Sequence, residues 1–198
     1  MVNADPDARH RAPARLELVR CFLNTWDFDV ARQEPDDLLA PLIRDRARFK
    51  RIFGVSPPRT HTEQEQLVAL RDELRATLSA APDEDAVLNR WLSKVPLRAS
   101  VVDGRVVHEP TRANLAGLVL AAVVDAIARN EWSRLRACDD CRYIFYDHTR
   151  NQSRRWCKMG GEGPAGRSCG SIAKVRRYRA RQRAQATKTK RRRRHRHT

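Results

Sequence analysis

Four cysteines near the C-terminus constrain this chain more than any other feature. The first two form a C-x-x-C pair, and the other two follow after spacers of fifteen and eleven residues: Cys138, Cys141, Cys157 and Cys169. A C-x-x-C turn directs two sulfurs at one ion, and two further thiolates complete a tetrahedral zinc sphere. Because four protein ligands leave no coordination position for water or substrate, this spacing predicts a structural rather than a catalytic zinc ion.

The alternative for these cysteines is a pair of disulfides in an oxidising compartment. The N-terminus lacks the apolar segment of a secretory signal peptide, and no window of about 18 apolar residues could span a bilayer. We therefore expect a cytoplasmic protein without a membrane partner, where a reducing environment favours thiolate–metal bonds. His148 lies between the cysteine pairs, but four thiolates already satisfy the ion.

Positive charge is concentrated at the C-terminus. The 198-residue chain has a formal net charge of +16, of which Lys174 to Thr198 carry +13 without any acidic residue. Residues 138–173 carry +2 and residues 1–137 carry only +1. This asymmetry indicates that a polyanionic partner binds at one end of the molecule. Nucleic acid is favoured over a membrane surface as that partner. A nucleoid-associated location follows from that expectation.

Residues 14–136 have the periodicity of a mostly helical α+β domain with a β-hairpin. Apolar residues at helical spacing predict helices at about 14–26, 36–49, 62–80, 83–94 and 111–130. Thr62 and Glu65 have the spacing of a capping box, and Asp83 is a candidate N-cap. Asp103-Gly104, between two alternating segments, predicts a tight hairpin over 97–109.

The sequence contains no set of residues typical of catalysis. His61 and His108 have no recognisable nucleophile or carboxylate beside them. The Cys138–Cys141 pair lacks the βαβ context of a thioredoxin-like redox motif. Cys21, the fifth cysteine, is interpreted as a small buried thiol rather than a reactive one. We therefore expect that the protein is not an enzyme.

The C-terminal third is predicted to contain a zinc-binding domain at 137–185 and a disordered basic tail at 186–198. Cys169 is expected to begin a helix that runs to about Gln185, with Ile172, Val175 and Tyr178 along one side. Trp156 is interpreted as a wall of the metal site, and base stacking is the alternative.

Basic residues around and after the third cysteine are the candidates for nucleic-acid contacts. Zinc would hold the start of the last helix, whose arginines would contact phosphates and guanine edges. The alternative is that these charges only solvate an exposed helix. The candidates are Arg154, Arg155, Lys174, Arg176, Arg177, Arg179, Arg181 and Arg183.

Two strings in this region resemble the CGNR zinc-finger family. Asp147 to Cys157 follows the pattern D-x-[ST]-x-N-x-x-R-R-W-C, and Ala173 to Arg181 follows A-K-V-R-R-x-R-x-R. The tetrad that names the family reads Cys169-Gly170-Ser171-Ile172 here, and the spacer before Cys169 is longer than in the family. In residues 14–136, called the body below, Asn24-Thr25 and Asp36-Asp37-Leu38-Leu39 are similar to pairs in the N-terminal ABATE domain of family members.

The resemblance implies a treble-clef-like finger attached to an ABATE-like domain. The finger consists of a knuckle, here Cys138 to Cys141, a short hairpin, and a helix that carries the last ligand. Family members are described as stress-induced transcription regulators, which implies double-stranded DNA as the partner. A single helix reads few bases, so a homodimer is also expected. Two other classes stay open: an RNA-binding finger, and a protein-interaction or ligand-sensing module with incidental zinc.

Overall fold

The computed structural model describes residues 10–29, 34–79, 83–158 and 168–194, the last eleven by their backbone only. Its helices are α1 (Leu16–Leu23), α2 (Leu39–Arg44), α3 (Arg46–Phe53), α4 (His61–Thr77), α5 (Glu84–Lys94), α6 (Leu115–Ala128) and α7 (Cys169–Arg194). Its strands are β1 (Trp26–Asp29), β2 (Glu34–Asp37), β3 (Leu97–Val102), β4 (Arg105–Pro110), β5 (Leu135–Ala137) and β6 (Ile144–Tyr146). The strands form three antiparallel hairpins, β1–β2, β3–β4 and β5–β6. This mixture confirms the predicted α+β class.

Helix α6 lies at the centre of the hydrophobic core. It is apolar around most of its circumference, and α1, α4 and the hairpin strand β4 pack against it. The helix begins at Leu115 rather than near Thr111, because the side chain of Asn114 caps it by accepting the Gly117 N–H at 2.8 Å. A Cβ on Gly117 would lie 2.4 Å from the Cβ of Pro110, so only glycine allows this approach of helix and hairpin.

Two of the short-range predictions for the body, a helix cap and a hairpin turn, are confirmed, and a third, a capping box, lies two residues earlier than predicted. Asp83 caps α5 by accepting the Ala86 N–H at 3.0 Å. Asp103 and Gly104 adopt positive φ values of 48° and 72° in the β3–β4 turn, as a tight primed turn requires. The capping box of α4 is formed by Thr60 and Glu63, two residues before the predicted pair. Both pairs have the same spacing, so spacing alone could not select between them.

The segment after α1 differs from its prediction. The first helix ends at Leu23, and the W-D-F-D alternation that follows forms β1, which places Trp26 opposite Asp37 in β2. The predicted second helix is two helices, because Asp45 interrupts it and caps α3 by accepting the Arg48 N–H at 3.0 Å.

The buried guanidinium of Arg71 joins the β1–β2 hairpin to α4. Arg71 is 1% exposed, and its Nη1 and Nη2 donate to the two carboxylate oxygens of Asp37 at 2.8 Å each. The Nε of Arg71 donates to Asp72 at 2.9 Å. The hydrogen bonds from Arg71 lower the pKa of Asp37, even though partial burial acts in the opposite direction.

We expect an Asp37→Asn variant to lose about 1 kcal/mol of stability at pH 7, since Asp37 is half-exposed and Asp72 still pairs with the guanidinium. Because the pKa of Asp37 is lowered in the folded state, its ionised carboxylate contributes its full stabilisation above the ordinary carboxyl pKa of about 3.9. It is lost as the pH falls through the lower value of the folded state. Urea unfolding of wild type and variant at pH 7 and pH 3 measures this difference. A difference that stayed constant with pH would show that ionised Asp37 is not its source.

The hairpin β5–β6 belongs to the same hydrophobic core as the N-terminal helices. Leu135, Ile144 and Tyr146 are buried in one cluster with residues of α1, α4 and α6. The predicted boundary between residues 136 and 137 therefore falls inside β5. None of the helices in the described ranges combines the length and the apolar character needed to cross a bilayer.

Candidate metal centre and nucleic-acid interface

The turn between β5 and β6 presents the first two cysteines. The Cys138 N–H donates to the Tyr143 carbonyl at 2.9 Å, and the Arg142 N–H donates to the Cys138 carbonyl at 3.0 Å. Arg142 closes this turn in the left-handed region, with φ 60°. The backbone therefore folds tightly around Cys138 and Cys141, as the C-x-x-C spacing predicted.

The four predicted thiol ligands come together at one point. Their sulfurs all lie within 4.8 Å of one another, and Cys157 Sγ is 3.6 Å from both Cys141 Sγ and Cys169 Sγ. A tetrahedron with Zn–S bonds of about 2.3 Å has sulfurs roughly 3.8 Å apart, so the donor set fits zinc in size and chemistry. Hydrogen bonds from the other three thiols lower the pKa of buried Cys138, which favours a thiolate there. The site is a structural zinc centre.

Two other candidates for sulfur or nitrogen chemistry lie away from the quartet. His148 Nε2 is 2.8 Å from the Arg11 carbonyl oxygen and is not among the clustered ligands. Burial, followed by the neighbouring Glu17 carboxylate, raises the pKa of Cys21 to about 11. Cys21 is therefore protonated at neutral pH, in agreement with its interpretation as an unreactive thiol.

Asp147, the first residue of the string from Asp147 to Cys157, organises the loop that leads to the third ligand. Its carboxylate is fully buried and accepts the Thr149 N–H at 2.9 Å, the Thr149 hydroxyl at 2.6 Å and the Arg154 N–H at 2.8 Å. Burial alone would raise the pKa of Asp147, but these hydrogen bonds lower it. The D-x-T part of the motif is thus a folding element that positions Arg154 and the residues after it.

The Arg154 side chain contacts groups inside the zinc finger. Its Nε donates to the Trp156 carbonyl at 2.9 Å, its Nη2 donates to the Cys157 carbonyl, and its guanidinium lies 5.2 Å from the Phe145 ring centroid. The group is half-buried. Its prediction as a nucleic-acid contact does not fit this position, because these contacts support the loop segment that carries the third ligand.

Arg155, by contrast, lies on the surface beside Trp156. Its guanidinium is 5.3 Å from the centroid of the Trp156 ring, and Arg177 of α7 lies 5.4 Å from the same centroid. Arg155 also donates from Nε to Asp139 of the knuckle at 2.7 Å. Trp156 packs with the cysteine cluster, which confirms it as a wall of the metal site, and it also supports two cationic groups.

Helix α7 begins directly at the fourth ligand. The Ser168 hydroxyl accepts the Ser171 N–H at 3.2 Å, and the Ser171 hydroxyl accepts the Ser168 N–H at 2.9 Å, which is a reciprocal cap. The Gly170 N–H donates to the Lys158 carbonyl at 2.8 Å, next to the third ligand. Ser168 and Ser171 therefore cap the start of α7 beside the fourth ligand.

The part of α7 that follows is exposed and cationic. Lys174 to Arg183 are all exposed, and six of these ten residues are Lys or Arg. The predicted apolar side is mostly open to solvent, since Val175 is 47% and Tyr178 63% exposed. The helix continues to Arg194, past the expected end near Gln185, because Ala, Gln, Lys and Arg favour helix and no Gly or Pro intervenes. This backbone differs from the predicted disorder at 186–198, of which 195–198 lie outside the described residues.

Contacts between the body and the finger were not predicted from the sequence. The Asn24 side chain pairs with both backbone groups of Ile144, donating at 2.8 Å and accepting at 2.8 Å. Buried Arg20 donates to the Tyr143 hydroxyl at 2.6 Å. The ring of His10 lies 2.6 Å from the Cys157 carbonyl oxygen through Nε2. Of the residues before 137 in these contacts, only Asn24 was marked in advance, by the similarity of Asn24-Thr25 to a pair in the ABATE domain.

Comparison with known proteins agrees with this geometry. Residues 134–182 match the sequence model of the family described as CGNR zinc finger. A search of curated proteins found no match. The matched segment contains β5, β6, the four cysteines and the exposed basic turns of α7. Residues 134–182 of this chain are therefore a zinc finger of the CGNR family.

Proposed function

We propose that the protein binds double-stranded DNA through α7 and acts as a transcription regulator. The observation that carries the proposal is the exposed stretch from Lys174 to Arg183, which has six cationic residues and no acidic one. Its start is tied to the zinc centre through Cys169. A helix of 26 residues is about 39 Å long, so α7 has the reach to lie along a duplex groove.

The arrangement of the cations favours a duplex over a flat anionic surface. Arg176, Arg179 and Arg183 share one side of the helix by their spacing of three and four residues, while Lys174, Arg177 and Arg181 share the other side. A helix in the major groove has phosphates on both flanks. A helix that lies on a membrane has its cations on one face and apolar residues on the opposite face.

The test is the affinity of the full, zinc-loaded chain for a fluorescein-labelled duplex of about 20 base pairs, measured by anisotropy against salt. We expect Arg177→Gln, Arg179→Gln and Arg181→Gln together to weaken binding by about 10- to 100-fold and to reduce the slope of log K against log salt by roughly 2–3. Each lost phosphate contact releases one counterion fewer.

A matched control removes the same charge from the body, by Arg44→Gln, Arg46→Gln and Arg51→Gln on exposed positions of α2 and α3. We expect this control to bind almost as the wild type does. Equal losses in both triple variants would mean that net charge alone drives binding, and α7 would not be the interface.

The same assay separates the other two function classes. An RNA duplex of matched length competes for the protein at one salt concentration, and preference for RNA would replace the proposal by an RNA-binding function. Absence of binding to either nucleic acid at low salt would leave the protein-interaction or ligand-sensing class. Sedimentation of the full chain alone and with the duplex measures whether a homodimer forms. The proposal involves no catalytic step.

A further inference from the structure

A groove between the zinc knuckle and α7 combines basic, acidic and aromatic side chains. It is lined by Asp139 and Asp140 of the knuckle, Arg155 and Trp156 before the third ligand, and Arg176 and Arg177 of α7. Acidic side chains repel phosphates, so a surface that only neutralised the DNA backbone would not place two aspartates among its arginines. Neutralisation of phosphates therefore does not explain why these acidic and basic side chains are paired.

Each aspartate holds one arginine. Arg155 donates to Asp139 Oδ2 from Nε at 2.7 Å, and its Nη2 lies 2.6 Å from the same oxygen. Arg176 donates from Nη1 to Asp140 Oδ1 at 2.7 Å. The side chains of Arg155 and Arg176 nevertheless remain 60% and 67% exposed. The carboxylates thus orient two guanidinium groups that still face solvent.

The two pairs differ in how firmly they are held. The Asp140 side chain is 5% exposed and forms an ion pair with Arg176, while its Oδ2 is buried without a hydrogen-bond partner among the described residues. Arg155 is held by Asp139 on one edge and by the ring of Trp156, 5.3 Å from the guanidinium. Both arginines are therefore preorganised, which reduces the side-chain entropy lost when they bind a ligand.

A guanidinium with one edge on a carboxylate keeps other N–H donors for a planar acceptor pair. In the major groove, guanine presents such a pair through O6 and N7, and arginine in bidentate geometry is its most common reader. Phosphate contacts do not require a fixed orientation, because a flexible, fully solvated arginine satisfies them as well.

We propose that Arg155 and Arg176, buttressed by Asp139 and Asp140, read guanine bases, and that the finger prefers duplexes with two guanines in its site. This inference rests on the proposed DNA binding and names the base that the interface recognises. The basic residues farther along α7 supply affinity that does not depend on sequence.

The test is selection of bound duplexes from a randomised pool by the full, zinc-loaded chain, followed by anisotropy on the best sequence and on its guanine-to-adenine substitutions. Each substitution is expected to weaken wild-type binding by about 5- to 100-fold. The double variant Asp139→Asn and Asp140→Asn is expected to bind random duplex as tightly as the wild type or tighter, because it loses two negative charges, while its guanine preference falls toward unity.

A control with the same change of charge, Glu65→Gln and Asp85→Asn on exposed positions of α4 and α5, is expected to keep the guanine preference. A second variant, Arg155→Lys and Arg176→Lys, keeps the charge and loses the planar fork. We expect its guanine preference, the ratio of its affinities for the best sequence and for the guanine-to-adenine duplexes, to fall well below that of the wild type. Zinc content and far-UV circular dichroism confirm that each variant is folded.

The outcomes are distinguishable. If the wild type binds no duplex, the proposed function fails. If it binds duplex without guanine enrichment, or if the aspartate and lysine variants keep the wild-type preference, DNA binding stands and the guanine assignment is overturned.

Discussion

A Cys157→Ser variant of the full chain is expected to lose its bound zinc and to unfold as a whole at a temperature well below that of the wild type. Structural zinc contributes an apparent free energy of about 10–16 kcal/mol in small fingers, which is comparable to the total stability of a typical domain, about 5–15 kcal/mol. The carbonyl of Cys157 also lies 2.6 Å from the ring of buried His10. Loss of the metal should therefore disturb both the finger and the segment that precedes α1.

The effect should not be confined to the finger, because β5 and β6 contribute Leu135, Ile144 and Tyr146 to the core of the body. Metal analysis measures zinc per chain, and melting is followed by far-UV circular dichroism and tryptophan fluorescence. Tryptophan fluorescence reports mainly on the body, because Trp26, Trp91 and Trp132 lie there and Trp156 lies in the finger. We expect both signals to shift together by more than 10 °C, on the scale of about 2–4 °C for each kcal/mol in a chain of this size.

The matched control is Cys21→Ser, which removes the cysteine that lies outside the quartet. This variant should retain one zinc ion per chain and melt within a few degrees of the wild type. Retention of one tightly bound zinc by Cys157→Ser, or an unchanged melting of the body without zinc, would contradict the account of a shared, metal-dependent core.

The second large effect is expected for Asn24→Ala, at the junction of body and finger. The Asn24 side chain satisfies both the N–H and the carbonyl of Ile144, a residue that is fully buried. Truncation to alanine leaves two buried backbone groups without partners, and each such group costs about 1–3 kcal/mol. We expect a loss of roughly 2–4 kcal/mol in the free energy of unfolding, measured by urea denaturation.

Asn89→Ala is the matched control, because Asn89 is exposed on α5. Its free energy of unfolding should change by less than about 0.5 kcal/mol. The Asn24 variant should also weaken protection of the Ile144 amide from hydrogen exchange, since this N–H donates to Asn24 in the wild type. Wild-type stability and exchange in Asn24→Ala would show that the amide pair does not hold the finger to the body.

This junction bears on the proposed function because it attaches the zinc-binding hairpin β5–β6 to the body. Arg75 of α4 adds to it by donating to the carbonyls of Leu23 and Arg142, at 2.7 and 2.9 Å. The zinc knuckle is thus attached to the body through side chains of both α1 and α4. The helix proposed to bind DNA, α7, begins at Cys169 in the same cysteine cluster, and base recognition requires a helix of defined orientation.

Local chemistry could be predicted from the sequence wherever it depended on residues close together in the chain. The C-x-x-C turn, the Asp103-Gly104 hairpin and the Asp83 cap follow from backbone geometry and short-range hydrogen bonds, and all three are present. Short-range patterns failed where two placements were equally good, as for the capping box of α4. They also failed at Trp26, which was predicted at the end of the first helix and instead lies in β1, opposite Asp37 of β2.

The sequence by itself determined the zinc ligands, the charge of the last helix and the family of the finger, because ligand spacing and charge density are properties of contiguous segments. Only the tertiary structure decided what each arginine does. Arg154 and Arg155 are neighbours with the same chemistry, yet one supports carbonyls inside the finger and the other lies on Asp139 at the surface. Which partners surround a side chain depends on packing between distant segments, and the same holds for the core that body and finger share.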